Sequence, residues 1–254
     1  MEFCAIQENN LQKIILSLVI PVFNYEKDLK LNVDLVVTGL RKKKIAFELI
    51  LVNDGSLDKT REEMIKLSSI YPEIKIIDYP KNRGKGYAVK QGVLIAEGKF
   101  IFFTDVDLPY GLEPIYQGME ILATDNIDMI LGSRDLVESQ DILSYDLKRK
   151  ITKRGFSLIV NSLLRLDIKD TQCGLKGFKK VAAQDIFTQL TRNDFSFDVE
   201  VLYLARRKKF NIKLVPVHLK HSASSTVSVL RDPIKMLGSV LMIRLNIFFK
   251  KYDD

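Results

Sequence analysis

Residues 100–109 read FIFFTDVDLP, and the rest of the sequence can be interpreted around them. The first four residues are apolar, follow a lysine and precede turn-forming residues, a pattern typical of a short buried strand. Asp105 and Asp107 come directly after it. In open α/β sheets, ligands bind outside the carboxyl ends of strands, and neighbouring carboxylates repel each other unless a cation offsets them. Oxygen ligands suit Mg²⁺ or Mn²⁺ shared with a phosphate, although a lone Asp-x-Asp is explained equally well as a polar turn.

The composition is that of a globular protein with an excess of basic residues. The 254 residues suffice for one large domain or two small ones, and 46% of them are hydrophobic. The net charge of +7 favours anionic partners such as nucleotides, phospholipid headgroups or nucleic acid, and is also found in ordinary basic soluble proteins. The only cysteines are Cys4 and Cys173, so we expect reduced thiols in the cytosol. We expect neither a signal peptide nor a membrane-spanning helix.

Strand-like and helix-like segments alternate through the first half of the chain. The predicted strands are residues 14–20, 47–52, 74–77, 100–104 and 127–131, and the predicted helices are residues 26–40, 58–70, 87–96 and 112–123. This alternation predicts a mostly parallel sheet flanked by helices, with right-handed crossovers. The polar clusters FNYE, NDGS, TDVD and GSR each follow a predicted strand, so they are expected along one edge of the sheet.

The second half is less regular. The pattern predicts helices at residues 145–164, 181–190 and 197–209, and strands at residues 175–178 and 212–217. A last helix is predicted from Asp232 and Pro233 to about Phe249, because proline is tolerated at the first helical position. We expect one catalytic domain over residues 1–220 and a C-terminal helical extension over residues 221–254. The apolar stripe and flanking basic residues of that amphipathic helix fit a helix lying in a membrane surface as well as one packed on the core.

Two common classes of nucleotide-binding protein are excluded. A dinucleotide-binding Rossmann site needs G-x-G-x-x-G after the first strand, and residues 21–26 contain no glycine. The P-loop sequence G-x-x-x-x-G-K-[ST] is also missing. A sheet with acidic residues at strand ends and a metal-type Asp-x-Asp remains.

The polar blocks resemble those of the family 2 glycosyltransferases with the GT-A nucleotide-diphospho-sugar transferase fold. The resemblance rests on the ordered blocks IPVFNYE, LVNDGSLDKT, NRGKGYAVKQG, TDVDL and GSR, and it covers roughly residues 14–216. The later blocks DTQCGLKGFKK and FSFDVEVLYLA are similar to the dolichyl-phosphate glucosyl- and mannosyltransferase branch, whose acceptor is a polyprenyl phosphate. The chain has no tryptophan, so it cannot carry the Gln-x-x-Arg-Trp motif of processive polysaccharide synthases.

The resemblance implies a set of donor-binding residues. Pro21, Phe23 and Glu26 match the loop that holds the nucleotide base, although the family places its acidic residue one position earlier, where Tyr25 stands. Asp54 is implied to face the base or the ribose.

Further residues are implied to act at the diphosphate. Lys85 is expected to neutralise the diphosphate, and the glycines beside it permit close approach of the backbone. Asp107 would bind Mg²⁺ or Mn²⁺ directly, and Asp105 would contact the ribose or the metal. Pro109 stands where mannosyl-type relatives often carry a glutamine as a further metal ligand.

The acceptor side is implied to depend on arginines. A phosphate acceptor is already anionic and needs cationic ligands, whereas a hydroxyl acceptor needs a general base. Arg134 and Arg154 match the acceptor-phosphate positions, with Lys153 as a possible helper. Asp198 matches the position of the catalytic base in many family members, with Phe197 in place of the usual preceding acid. Asp198 is therefore either a base or a residue that orders the acceptor site.

The resemblance implies an inverting, metal-dependent glycosyltransferase that moves one hexose from UDP-glucose or GDP-mannose to a polyprenyl or dolichyl phosphate. DTQCG favours UDP-glucose. The expected location is cytoplasmic and peripheral at the membrane face, through direct contact or a membrane partner, with no nucleic acid bound. The alternative is a family 2 enzyme that uses a sugar hydroxyl, with Asp198 as base. A nucleotidyltransferase would need a glycine-rich signature, and a basic scaffold would not explain acidic residues at strand ends.

Overall fold

A single mixed sheet forms the centre of the molecule. The computed structural model describes residues 13–124, 126–136, 160–164, 166–168, 170–219, 231–249 and 251–252. The strands in these ranges are β1 (Leu16–Val22), β2 (Phe47–Asp54), β3 (Ile74–Tyr79), β4 (Phe100–Phe103), β5 (Met129–Ser133), β6 (Lys176–Lys179) and β7 (Ile212–Pro216). Their order in the sheet is β3-β2-β1-β4-β6-β5-β7. Every strand predicted from the sequence is therefore confirmed.

One strand runs against the others. β1 pairs in parallel with β2 and β4, β2 with β3, and β5 with β7. β6 is antiparallel to both β4 and β5, with Phe103 opposite Lys176 and Ile130 opposite Gly177. The expected mostly parallel sheet is confirmed, and the direction of β6 is the feature that the sequence pattern did not predict.

Helices flank the sheet. They are α1 (Leu29–Lys42), α2 (Thr60–Ile70), α3 (Lys85–Ile95), α4 (Glu113–Leu122), α5 (Lys180–Gln189), α6 (Phe197–Arg207) and α7 (Arg231–Phe248), with a 3₁₀ turn at Arg134–Leu136. Their positions agree with the predicted helices to within a few residues. Of the helix predicted at residues 145–164, only residues 160–164 lie in the described part of the chain, and they are helical.

The core lies on both faces of the sheet. All residues of β2 and β4 are buried, as expected when helices cover both faces of parallel strands. At the end of β4, the ring of Phe103 lies 5.7–6.2 Å from the rings of Phe178, Phe187 and Phe197. These contacts join β4, β6, α5 and α6 directly beneath the residues that follow β4.

The last helix has one buried and one exposed side. Val240 and Ile243 of α7 are fully buried, and so is Tyr252 just beyond it. The apolar residues on the other side are exposed, up to 77% for Phe248. Neither of the two interpretations of this helix is complete, because it packs on the core and also presents apolar residues to solvent. Among the residues described, we find no helix with the length and hydropathy to cross a membrane.

Candidate functional site

The strand topology gathers, at one edge of the sheet, the predicted strand-end residues that the structure describes. β1, β2, β4 and β5 run in the same direction, so the residues that follow them lie at the same edge. Because β6 runs the opposite way, it begins at this edge, and the DTQCG loop before it enters the site. Polar residues from distant parts of the sequence are thereby brought together.

Lys85 and Asp105 form an ion pair at this edge. Lys85 Nζ contacts Asp105 Oδ1 directly, and only 15% of the Lys85 side chain is exposed. Burial alone would lower the pKa of Lys85, but the charges of Asp105 and then Asp198 raise it overall. Lys85 begins α3 directly after Gly84, whose φ of 97° is accessible to glycine and strained for other residues. The predicted diphosphate lysine is therefore a stable cation next to the Asp-x-Asp motif.

Asp107 is half-buried on the same turn. Burial raises its pKa, and the charge of Asp105 raises it further. The charge of Asp107 in turn adds to burial in raising the pKa of the Tyr25 hydroxyl, so the loop after β1 faces the same region. The two carboxylates are close enough to repel, as their sequence spacing predicted.

The residues present fit a divalent cation that shares its ligands with a diphosphate. In the described ranges, no three or more His, Cys, Asp or Glu residues cluster in a way that could hold a metal ion by themselves. Mg²⁺ usually takes only one or two protein carboxylates and completes its shell with water and substrate phosphates. Asp107 and Asp105 are such a pair, and a cation bound there would offset the negative charge that develops on a leaving nucleotide.

Asp54 anchors the glycine-rich loop that leads to Lys85. It is almost fully buried, and its Oδ1 accepts hydrogen bonds from the Tyr79 hydroxyl at 2.9 Å and the Arg83 backbone N–H at 2.8 Å. Its Oδ2 accepts one from the Gly84 backbone N–H at 2.9 Å. The predicted contact of Asp54 with base or ribose stays a prediction. Sequence reasoning missed the anchoring role, although a glycine-rich loop with free N–H groups needs acceptors.

The loop after β1 is joined to the loop after β2. The Leu57 N–H donates to Asn24 Oδ1 at 2.8 Å, and the Lys59 N–H donates to Glu26 Oε2 at 2.8 Å. An open cleft of about 310 Å³ lies between the loops, lined by residues 24–28 and Asp58. Glu26 therefore lines the cleft, and one of its carboxylate oxygens holds the two loops together.

Pro21 and Phe23 lie at the same edge. Pro21 is half-buried in β1, and Phe23 is 45% exposed immediately after it. Exposure leaves the Phe23 ring free to stack on a planar ligand. Its role in holding the nucleotide base stays a prediction, as do those of Pro21 and Glu26.

Arg134 is held in place by the DTQCG loop. Its Nε and Nη2 donate to the two carboxylate oxygens of Asp170 at 2.8 and 2.7 Å, and its backbone N–H donates to Asp170 Oδ2 at 3.1 Å. Asp170 is almost fully buried, whereas 26% of the Arg134 side chain is exposed. This bidentate geometry fixes the guanidinium plane. Arg154 and Lys153 lie outside the described residues.

Asp198 is bound to a buried lysine that sequence reasoning missed. Lys176 Nζ donates to Asp198 Oδ1 at 2.5 Å and to the Cys173 carbonyl at 2.9 Å. Lys176 is fully buried and Asp198 nearly so. A sequence signal did exist, because a lysine inside a predicted buried strand requires a counter-charge.

The second acid of the FDVE motif lies outside this cluster. Glu200 is fully buried and accepts hydrogen bonds from Thr191, the Arg192 backbone N–H and the Tyr252 hydroxyl. It therefore joins α6 to the C-terminal segment.

Solved structures with the same architecture are glycosyltransferases. Glucosyl-3-phosphoglycerate synthase of Mycobacterium tuberculosis superimposes with a TM-score of 0.63 at 17% identity, over 91% of this chain and 80% of its own. A mannosyltransferase from Pyrobaculum calidifontis, solved with GDP-Man and Mn²⁺, gives a TM-score of 0.53 at 14% identity, over 79% of this chain and 54% of its own. These likenesses confirm the predicted GT-A fold.

Sequence comparison gives the family. Dolichyl-phosphate beta-glucosyltransferase of Saccharomyces cerevisiae is 31% identical in an alignment 260 positions long, gaps included, which covers 96% of this chain and 78% of the yeast protein. The human protein of the same name is 31% identical in an alignment 243 positions long, which covers 91% of this chain and 75% of its own. The family model described as Glycosyl transferase family 2 matches residues 17–187. With its GT-A fold and strand-end acidic residues, the chain belongs to glycosyl transferase family 2.

Proposed function

We propose that the protein transfers one glucosyl residue from UDP-glucose to a dolichyl or other polyprenyl phosphate, with inversion and with Mg²⁺ or Mn²⁺. The observation that carries this proposal is the set of contacts made by Arg134 and Asp198, the two described residues on the acceptor side. Arg134 is a fixed, partly exposed cation, and Asp198 is bound to Lys176. A phosphate acceptor needs a cation and no general base. The names of the relatives at 31% identity agree with this acceptor and with glucose.

The donor side would bind the nucleotide diphosphate. Glu26 lines the cleft between the loops after β1 and β2, where we place the base, and the exposed Phe23 directly precedes the lining residues. Asp54 holds the loop that carries Lys85. Lys85, whose ammonium contacts Asp105, would turn towards the diphosphate or contact both anions. Asp107 and Asp105 would hold the cation. Mg²⁺ accompanies UDP in one related structure, that of the mycobacterial synthase, at 15% identity and a TM-score of 0.60.

The acceptor side would present the phosphate oxygen to the anomeric carbon. An inverting displacement passes through an oxocarbenium-like state, and its nucleophile must approach opposite the leaving diphosphate. The recorded bonds of Arg134 to Asp170 use Nε and Nη2, which leaves Nη1 for an acceptor phosphate. Arg154 is proposed as the second phosphate ligand, with Lys153 beside it.

The protein would reach its lipid substrate peripherally at the cytosolic face of a membrane. The exposed face of α7 consists of Leu241, Met242, Leu245, Phe248 and, just beyond the helix, Phe249. Arg244 and Lys251 are exposed beside it. Apolar residues flanked by cations suit an interface with anionic lipid. A membrane partner protein remains the other route to the acceptor.

A substrate matrix tests the proposal directly. Purified protein would be assayed with UDP-glucose or GDP-mannose as donor, and with polyprenyl phosphate, polyprenol or a sugar as acceptor, each with and without Mn²⁺. We expect glucosylated polyprenyl phosphate from UDP-glucose only when metal is present. Transfer to the sugar acceptor and none to the lipid phosphate would contradict the proposed acceptor, and transfer from GDP-mannose alone would contradict the proposed donor.

A further inference from the structure

We propose that Lys176 and Asp198 form a positioning pair that holds the acceptor side of the site together, and that Asp198 accepts no proton during transfer. The inference deepens the proposed function and rests on it, because it concerns how the phosphate-acceptor site is held. Its starting point is a buried ion pair between β6 and the first turn of α6, with 2.5 Å between Lys176 Nζ and Asp198 Oδ1.

The pair is almost completely buried. Lys176 is fully buried, and only 5% of the Asp198 side chain is exposed. The Lys176 ammonium lies 5.5 Å from the centroid of the Phe103 ring, an additional contact that suits a cation. A buried charge that loses its partner is strongly destabilising, whereas replacing both charges together is often tolerated. Each member therefore requires the other.

A general base must be able to take a proton from the acceptor. Protonating Asp198 would remove the counter-charge of Lys176, whose remaining recorded acceptor is the uncharged Cys173 carbonyl. Taking a proton from the acceptor would therefore break the ion pair that neutralises the buried Lys176 ammonium.

The pair is connected to both halves of the site through the DTQCG loop. Lys176 holds the loop at the Cys173 carbonyl, and Asp170 at the start of the loop holds Arg134. Gly174 packs so closely against the Asp105 carboxylate that a Cβ atom would overlap it. Displacing this loop would therefore disturb Arg134 and Asp105 together. Lys176 and Asp198 act through those residues without touching the substrate.

A double-mutant cycle separates the two roles. The variants are Lys176→Met, Asp198→Asn and the double variant, compared with wild type for thermal unfolding and for transfer to polyprenyl phosphate. We expect each single variant to lose roughly 10 °C in Tm and to show a raised KM for the acceptor. In the double variant the Tm should largely recover, and kcat/KM should return to within about tenfold of wild type, because no base is missing.

Loss of a general base gives a different result. If Asp198 were the base, Asp198→Asn and the double variant would both lose about 10²–10⁴-fold in kcat with the acceptor KM unchanged, even where the double variant regains its Tm. That result would overturn the inference, and so would additive losses of Tm, since additivity means that the two charges are not coupled. Failure of the proposed function would appear separately, as wild-type protein that does not use polyprenyl phosphate at all.

Discussion

Asp107 is the residue on which we expect the donor side to depend most. It is half-buried beside Asp105, and no other acidic residue of the described chain joins the two in a metal-binding cluster. We expect Asp107→Ala to lower transfer by at least about a hundredfold, because the charge on the leaving diphosphate would lose its counter-ion. The measurement is kcat/KM for UDP-glucose with saturating Mn²⁺.

The matched control for Asp107→Ala is Asp185→Ala. Asp185 pairs with Lys208 on the surface, away from the sheet edge, and should leave transfer unchanged. Full activity of Asp107→Ala in protein that folds like wild type would show that the cation is held elsewhere.

The raised pKa of Asp107 gives a second residue-scale prediction. A proton and a cation would compete for this carboxylate. Because the pKa of Asp107 is raised, Mn²⁺ affinity should start to weaken while the pH is still above the usual aspartate pKa of about 4. Mn²⁺ titrations at decreasing pH would use UDP-glucose, which lacks the terminal phosphate that titrates in UDP. A constant affinity down to the usual aspartate range would mean that burial and Asp105 do not act on the metal site.

At the scale of elements, the direction of β6 makes the site. An antiparallel β6 starts where β4 ends, so Lys176 lies opposite Phe103 and the loop of residues 170–174 reaches Asp105. A parallel β6 would begin at the far edge and would separate Arg134 from Asp170. The position of the DTQCG loop in the site therefore depends on the direction of β6, the strand that follows it.

The exposed face of α7 is the element-scale feature with the clearest experiment. We expect the protein to bind vesicles of mixed phosphatidylserine and phosphatidylcholine, and Leu245→Glu to weaken this binding by roughly tenfold or more, since burying a leucine stabilises by about 1.5–3 kcal/mol. Arg244→Gln should weaken binding severalfold at low salt and less at high salt. Co-sedimentation measures both.

Leu31→Glu provides the control for these vesicle experiments. Leu31 is 60% exposed on α1, so the same substitution there changes charge and surface polarity on another helix. Equal loss of binding in Leu31→Glu and Leu245→Glu would show that net charge, rather than the α7 face, controls the interaction.

At the scale of the whole molecule, one buried cluster joins the C-terminal segment to the rest. Tyr252 donates a 2.5 Å hydrogen bond to Glu200, and Asn246 donates to Thr191 Oγ1 at 3.2 Å. Burial and then the charge of Glu200 raise the pKa of Tyr252, so its phenol stays protonated and remains a donor. The division into residues 1–220 and an extension over residues 221–254 stays a prediction.

Removing the Tyr252 hydroxyl tests how tightly the segments are coupled. We expect Tyr252→Phe to lower the free energy of unfolding by about 1.5–3 kcal/mol, the usual value for a hydrogen bond to a charged group, with transfer activity unchanged. Urea unfolding followed by circular dichroism suits a chain without tryptophan. A single transition would mean that α7 unfolds with the sheet, and an early partial loss of helix would favour a separate extension.

Tyr203→Phe is the comparison for this variant. Tyr203 packs against Tyr252 with ring centroids 5.7 Å apart, and its hydroxyl has no recorded hydrogen-bond partner within the described ranges. Equal destabilisation in the two variants would mean that the Glu200 bond contributes nothing specific.

Local patterns in the sequence determined the elements and the identity of the strand-end residues. Apolar runs such as FIFF and FELILV predicted the strands because such runs suit strands that are buried on both faces. The polar residues that end these runs were therefore expected at the edge of the sheet. The prediction that Asp107, Lys85 and Arg134 lie at one edge of the sheet followed from that topology. These features depend on short-range periodicity, which a sequence displays directly.

Only the tertiary structure decided what those residues contact. The pairs Lys85–Asp105, Arg134–Asp170 and Lys176–Asp198 join residues 20 to 36 positions apart, and no local pattern specifies such partners. The direction of β6 and the buried side of α7 were also settled by packing, since an amphipathic helix and a short strand each have more than one compatible orientation. The sequence determined which charges are present, and the fold determined which of them neutralise one another.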